Sequence, residues 1–175
     1  DPVRDAQGNY YDTKRDFGYA NPLGVINDIQ DEREAKRLMG NITSTWEIFK
    51  DLKHWLSLSY SRDDDEKFRF EPLGTYTFPE GSGKREYNNK ETKTLESTLN
   101  YTKDLFSNHN LNVTLGYSYQ HFHYSGISAY GKGPTSNSIK AYNFVTLANI
   151  KQGDISSYYN NDNKISFFGR AIYNI

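Results

Sequence analysis

The chain has 175 residues, a net charge of −1 and no cysteine. Near-neutrality excludes a broad electrostatic attraction to nucleic acid or anionic lipid. The missing cysteine excludes disulfides, thiolate metal sites and cysteine nucleophiles. Only 35% of residues are hydrophobic and the mean hydropathy is −0.86, yet 15% are aromatic, with 15 Tyr and 10 Phe. Disordered chains carry few aromatics, so the composition reads as polar but ordered, with β character. No apolar run approaches the ~18 residues of a membrane-crossing helix. Asp1-Pro2-Val3-Arg4-Asp5 offers no leader-like charged or apolar region. Ile175 falls inside an apparent strand, so both ends are expected to be cuts within a longer protein.

In chain order, residues 1–35 read as irregular, with the turn formers Gly8-Asn9 and Asn21-Pro22. A helix over 28–37 is compatible with the residues, although its apolar spacing is poor. A hairpin is expected over 36–62. Its first strand alternates Leu38, Gly40, Ile42, Ser44, Trp46 and Ile48 against Arg37, Met39, Asn41, Thr43, Thr45 and Glu47. After a tight connection at Lys50-Asp51-Leu52-Lys53, Leu56, Leu58 and Tyr60 alternate with Ser57, Ser59 and Ser61.

A charged, Gly/Pro-containing loop is expected over 63–90, with room for the strand to continue through Phe68 and Phe70. A second hairpin covers 91–124. There Leu95, Ser97, Leu99 and Tyr101 oppose Thr94, Glu96, Thr98, Asn100 and Thr102. Beyond a short turn, Leu111, Val113, Leu115, Tyr117 and Tyr119 oppose Asn112, Thr114, Gly116, Ser118 and Gln120. A loop follows over 125–163, with room for a short helix in 136–151. A last strand over 164–175 puts Ile165, Phe167, Gly169, Ala171 and Tyr173 on one side.

Short turns thus alternate with long polar loops. A membrane-spanning strand must pair every backbone group with a neighbour, because lipid offers no partners. It needs about 9–11 residues with apolar positions outward and polar positions inward, short turns on the periplasmic side and long loops outside. Strand directions assigned on that basis put Trp46, Tyr101 and Tyr173 at one membrane level. Tyr60, Tyr117 and Tyr119 fall at the other. Tyr and Trp favour the interface, where a ring is half in lipid and half in water. The expected fold is therefore all-β, an antiparallel transmembrane β-barrel segment with long extracellular loops. A soluble glycan-binding β-sandwich and a passive porin are the alternatives that the pattern leaves open.

Five stretches in order resemble the SusC/RagA family of TonB-dependent outer-membrane transporters of Bacteroidetes. They are Tyr19-Ala20-Asn21-Pro22-Leu23, Lys36-Arg37-Leu38-Met39-Gly40-Asn41, Leu52-Lys53 after Ile48-Phe49, the run from His109 to Ser118, and Ser166-Phe167-Phe168-Gly169-Arg170-Ala171-Ile172-Tyr173. Asp51 departs from the family pattern, which has Gly before Leu-Lys, and a glycine often seen in the strand at 55–61 is missing. The resemblance implies five strands of a barrel of about 22, closed around a plug. It also implies import of oligosaccharides or peptides, a SusD-like surface lipoprotein, and the TonB complex acting through parts upstream of this chain. Outer-membrane lipid would surround the wall, and no nucleic-acid partner is implied.

No residues carry an expected catalytic role, cofactor or metal. His121 and His123 share a strand face, but the sequence places no third ligand. Asp63-Asp64-Asp65-Glu66 lacks the EF-hand spacing and reads as a solvated loop top. Three Asn-x-Thr triplets, at Asn41, Asn100 and Asn112, fit inward-facing alternation better than glycosylation. Gly131-Lys132-Gly133-Pro134 lacks the Walker spacing. No nucleophile–base set or carboxylate pair stands out, so an enzyme is not expected. Tyr76, Phe78, Tyr130, Tyr142 and Phe144 are the loop aromatics available for ligand contact.

Overall fold

The computed structural model describes residues 4, 6–8, 10, 21–74, 79–134, 136–137 and 149–175. One short helix, α1 (Pro22–Asp28), precedes five strands: β1 (Gln30–Phe49), β2 (Leu52–Glu71), β3 (Ser82–Phe106), β4 (His109–Lys132) and β5 (Ile155–Asn174). They form one sheet in the order β1-β2-β3-β4-β5. Every neighbour in space is a neighbour in sequence, as in an up-and-down barrel wall.

The helix lies earlier than the residue pattern suggests. Asn21 caps it by accepting from the Leu23 N–H at 3.0 Å, and Pro22 occupies its first turn. Both residue types suit those positions, because the first N–H groups of a helix lack internal partners. Residues 30–37 are strand instead. Asp31, Arg33 and Arg37 find opposite charges on β2 in Arg69, Asp65 and Asp63.

The two tight turns share one device. Asp51 (φ 75°) and Asn108 (φ 68°) are the described non-glycine residues with positive φ. Asp and Asn tolerate this left-handed conformation better than other side chains. Asp51 therefore holds a backbone conformation that glycine adopts without strain.

The strands are 20 to 25 residues long, well beyond the ~10 needed to cross a bilayer. The expected loops shrink accordingly. The β2–β3 connection occupies 72–81 rather than 63–90, and the β4–β5 connection 133–154 rather than 125–163.

The chain divides into two compact units, and each strand contributes to both. The first comprises Asp1–Ala35, Asp65–Asn88 and Gly126–Tyr158. It contains both long connections and the buried hydrophobic residues Phe68 and Phe70. Arg85 stacks over the Phe68 ring at 4.9 Å and pairs with Glu66 at 2.5 Å. Ion pairs join β1 to β2 here: Arg33 with Asp65 at 2.5 Å, and Arg69 with Asp31 at 2.9 Å. Arg69 also binds Glu71, whose hydrogen bond is the main reason its guanidinium is held above the usual arginine range. Glu71 in turn accepts from the Ser82 hydroxyl, and the Asn137 amide brackets the Leu73 backbone with bonds of 2.7 and 3.0 Å.

The second unit comprises Lys36–Asp64, Asn89–Ser125 and Tyr159–Ile175. It contains both tight turns. Its register is fixed by polar side chains on one face: Asn41 to Ser57 at 3.1 Å, Asn100 to Thr114 at 2.9 Å and Asn112 to Thr102 at 3.2 Å. Phe168 lies over Gly116 on this same face, where any Cβ would collide with the ring. A ring resting on a bare glycine restores the contact that the missing side chain gives up.

Candidate functional site: a two-faced membrane wall

The functional feature of this chain is a surface, and the second unit displays it. On one face lie Leu38, Ile42, Trp46, Leu58, Leu99, Leu115, Ile165 and Phe167, all among the exposed large hydrophobics. Ile42 is 72% exposed and Phe167 78%. None of the described residues covers them. A soluble sandwich would lay a second sheet on such a face, whereas a barrel wall leaves it to lipid.

The other face carries Asn41, Thr43, Ser57, Ser59, Thr94, Thr98, Asn100, Asn112 and Thr114. It also holds Met39, Trp55, Phe122 and Phe168, so it is less uniformly polar than the alternation implied. A shallow groove of ≈ 380 Å³ is lined there by Met39, Asn41, Ser59, Ser61, Thr92 and Thr94. Its lining offers hydroxyl and amide hydrogen bonds without a formal charge.

The structure puts Trp46, Tyr60, Tyr101, Tyr117, Tyr119 and Tyr173 on the apolar face, but not on horizontal rows. Trp46 stacks on His54, and His54 bonds Ser97, which lies opposite Tyr117. Tyr101 lies opposite Val113, and Tyr173 bonds His109 at 2.7 Å. From β1 to β3 to β5 the aromatic near the tight-turn end therefore steps toward that end. The other set steps in the same sense. Tyr60 bonds Glu91, which lies opposite His123, whereas Tyr119 sits further down β4. The two sets therefore fall on oblique lines across the sheet, not on two levels.

Other candidate residues are placed differently from expectation. Tyr130 is part of β4, its N–H bonded to the Asp154 carbonyl at 2.9 Å, and so is not a loop residue. Tyr76, Phe78, Tyr142 and Phe144 lie outside the described residues, as do Tyr19, Ala20 and most of 136–151. The acidic run is not a loop top. Asp63 and Asp65 pair with Arg37 and Arg33, while Asp64 pairs with Arg62 and accepts from Asn89. Opposed charges fix this strand register, and hydropathy alone gives no trace of them. His121 and His123 stand on the outward face, bonded to Asn163 and Asn161 at 2.8 and 2.7 Å. Among the described residues no group of three or more His, Cys, Asp or Glu converges as a metal site would require.

No protein-family model matches the chain. A curated relative, TonB-dependent receptor P3 of Formosa agariphila, is 27% identical over 173 residues, covering 98% of this chain. The chain spans only 17% of that relative's length. Among solved structures, the RagAB peptide transporter superposes with a TM-score of 0.73 at 16% identity, over 94% of this chain and 18% of that one. The RagAB peptide importer in its 'closed-closed' state gives 0.73 at 16% identity, over 97% and 19%. Sheet order, uncovered apolar face and these likenesses converge: the chain is a β-barrel segment of the bacterial outer membrane, similar in sequence to a TonB-dependent receptor and in fold to the RagAB transporter.

Proposed function

We propose that this chain forms part of the wall of a TonB-dependent importer that carries oligosaccharides or peptides across the outer membrane. It works with a SusD-like surface lipoprotein outside and the TonB complex inside. The observation that carries this reading is the uncovered apolar face of the second unit, backed by an inward face of hydroxyls and amides. In this reading the tight turns at Asp51 and Asn108 are periplasmic and the connections at 72–81 and 133–154 are extracellular. Trp46, Tyr101 and Tyr173 form the periplasmic aromatic girdle, and Tyr60, Tyr117 and Tyr119 the outer one. Tyr76, Phe78, Tyr130, Tyr142 and Phe144 are candidates for ligand contact at the extracellular end. The chain is a passage wall, not a catalyst.

The RagAB structures are named as a peptide transporter and importer, which favours peptide among the two substrate classes. The test is uptake by cells expressing the intact transporter that contains this chain, with TonB present or deleted. Loss of uptake without TonB, with the protein still in the outer membrane, supports the reading. Unchanged uptake would indicate a passive porin, and recovery of the intact protein in the aqueous fraction without detergent would indicate a soluble module.

A further inference from the structure

Immediately beyond the apolar band, the outward face of the second unit changes chemistry. On β3 the change comes between Leu95 and Lys93, on β4 between Tyr119 and His121, and on β5 between Ile165 and Asn163. The side chains past it are organised into two small networks. Asn163 Oδ1 accepts from both the Tyr119 hydroxyl at 2.9 Å and His121 Nδ1 at 2.8 Å. Asn161 Oδ1 accepts from His123 Nδ1 at 2.7 Å, and the Asn161 amide donates to the Tyr159 hydroxyl at 2.7 Å. His123 packs edge-on against the Tyr159 ring, centroids 4.9 Å apart, and its Nε2 accepts from Ser125 at 3.0 Å.

These bonds leave a defined set of groups for a ligand. With Nδ1 donating, His121 Nε2 is an acceptor, and the Asn163 amide hydrogens are donors beside it. The Tyr159 hydroxyl accepts from Asn161 and has its own proton to donate. Its ring is braced by His123 and is 71% exposed. Adjacent donor and acceptor groups next to an open aromatic face match vicinal hydroxyls on a sugar ring. The neighbouring charges are already matched: Lys93 pairs with Glu91 at 2.7 Å, and Arg62 with Asp64 at 2.9 Å. A bare phosphate or acidic lipid therefore finds no surplus cation among the described residues here.

We propose that Tyr159, Asn163 and His121, with His123 and Asn161 as positioning residues, bind the sugar headgroup of an outer-leaflet glycolipid. The patch continues the lipid-facing band, and strands added beside β5 would extend the wall sideways without covering its outward face. The proposal rests on the orientation given under Proposed function, in which this margin lies at the outer leaflet.

The experiment uses the intact detergent-purified transporter, equilibrated with rough-type lipopolysaccharide or with phosphatidylglycerol and read by native mass spectrometry. Tyr159→Ala combined with Asn163→Ala is expected to weaken lipopolysaccharide retention about five- to tenfold, the loss of a ring contact and hydrogen bonds. The inward-facing Asn160→Ala leaves retention unchanged, and heat-modifiable gel mobility confirms folded barrels in each case. His123→Gln, which keeps a donor toward Asn161, retains more binding than His123→Ala. Equal retention by wild type and the double variant overturns the proposal, as does equal binding of phosphatidylglycerol. So does loss of a co-purifying protein instead of the glycolipid. In a cysteine-free background of the intact transporter, Lys151→Cys reports orientation separately. Labelling by an impermeant thiol reagent on intact cells supports the orientation. Its absence removes the orientation itself, a failure distinct from unaltered glycolipid binding in a correctly oriented protein.

Discussion

The two units are built from the same five strands yet use opposite rules. In the unit holding the long connections, β1, β2 and β3 carry charges on both faces, and opposed ions match Arg33 with Asp65, Arg69 with Asp31 and Arg85 with Glu66. In the unit holding the tight turns, one face is aliphatic and aromatic, and the other is largely hydroxyl and amide. The difference follows from what touches each face. Outside the apolar band either face accepts charge and ion pairs contribute to registry, while Phe68 and Phe70 are buried. Where lipid wets one face and a hydrated lumen the other, the period-2 split is enforced residue by residue.

The largest expected effect tests that split. Leu115→Arg, on the outward face of β4, should destabilise the folded intact barrel by about 2–4 kcal/mol. Thr114→Arg, one residue away on the inward face, should cost far less. Urea titration of the protein in phospholipid vesicles measures both, and equal costs would erase the distinction between the faces. Next is the contact between Gly116 and Phe168. Gly116→Val forces the ring away and should cost about 1–3 kcal/mol. Much of that should be recovered in the double variant with Phe168→Ala, so a double-mutant cycle with no coupling would contradict the ring's position.

The tight turn sharpens the comparison within the second unit. Asp51→Val places a β-branched residue at φ 75° and should cost about 1–2 kcal/mol, whereas Asp51→Gly should be neutral or slightly stabilising. The smallest effect belongs to the first unit. Arg33→Ala removes a pair whose arginine side chain is 64% exposed, so the loss should stay below about 1 kcal/mol and shrink with added salt.

The same contrast explains what can be read from the residues. Leu111 to Tyr119 declares its strand, because each alternate position faces a different solvent. The Lys50-Asp51-Leu52 turn is legible through its turn former, although the positive φ at Asp51 emerges only from the backbone. Residues 30–35 and 63–71 carry no hydropathy period, so on hydropathy alone they resemble helix or loop. Their signal is complementary charge between Asp31, Arg33 and Arg37 on β1 and Arg69, Asp65 and Asp63 on β2. That pairing can be seen only once the two strands are aligned. The spacing of His121 and His123 marks them as a pair on one face, but not what that face meets. Their partners, Asn161 and Asn163, lie some 40 residues away in sequence, and only strand register brings them together.

The most direct test of the central claim is a single-cysteine scan along β4, from Asn112 to Ser118, in the intact transporter reconstituted in vesicles. Each cysteine carries an environment-sensitive fluorophore, challenged in turn with a lipid-borne and a water-soluble quencher. Alternation is predicted. Positions 113, 115 and 117 should be quenched from the lipid, and positions 112, 114 and 118 from water. A scan with no alternation, or with the two sets exchanged, would contradict the assignment of this sheet as a wall between lipid and lumen.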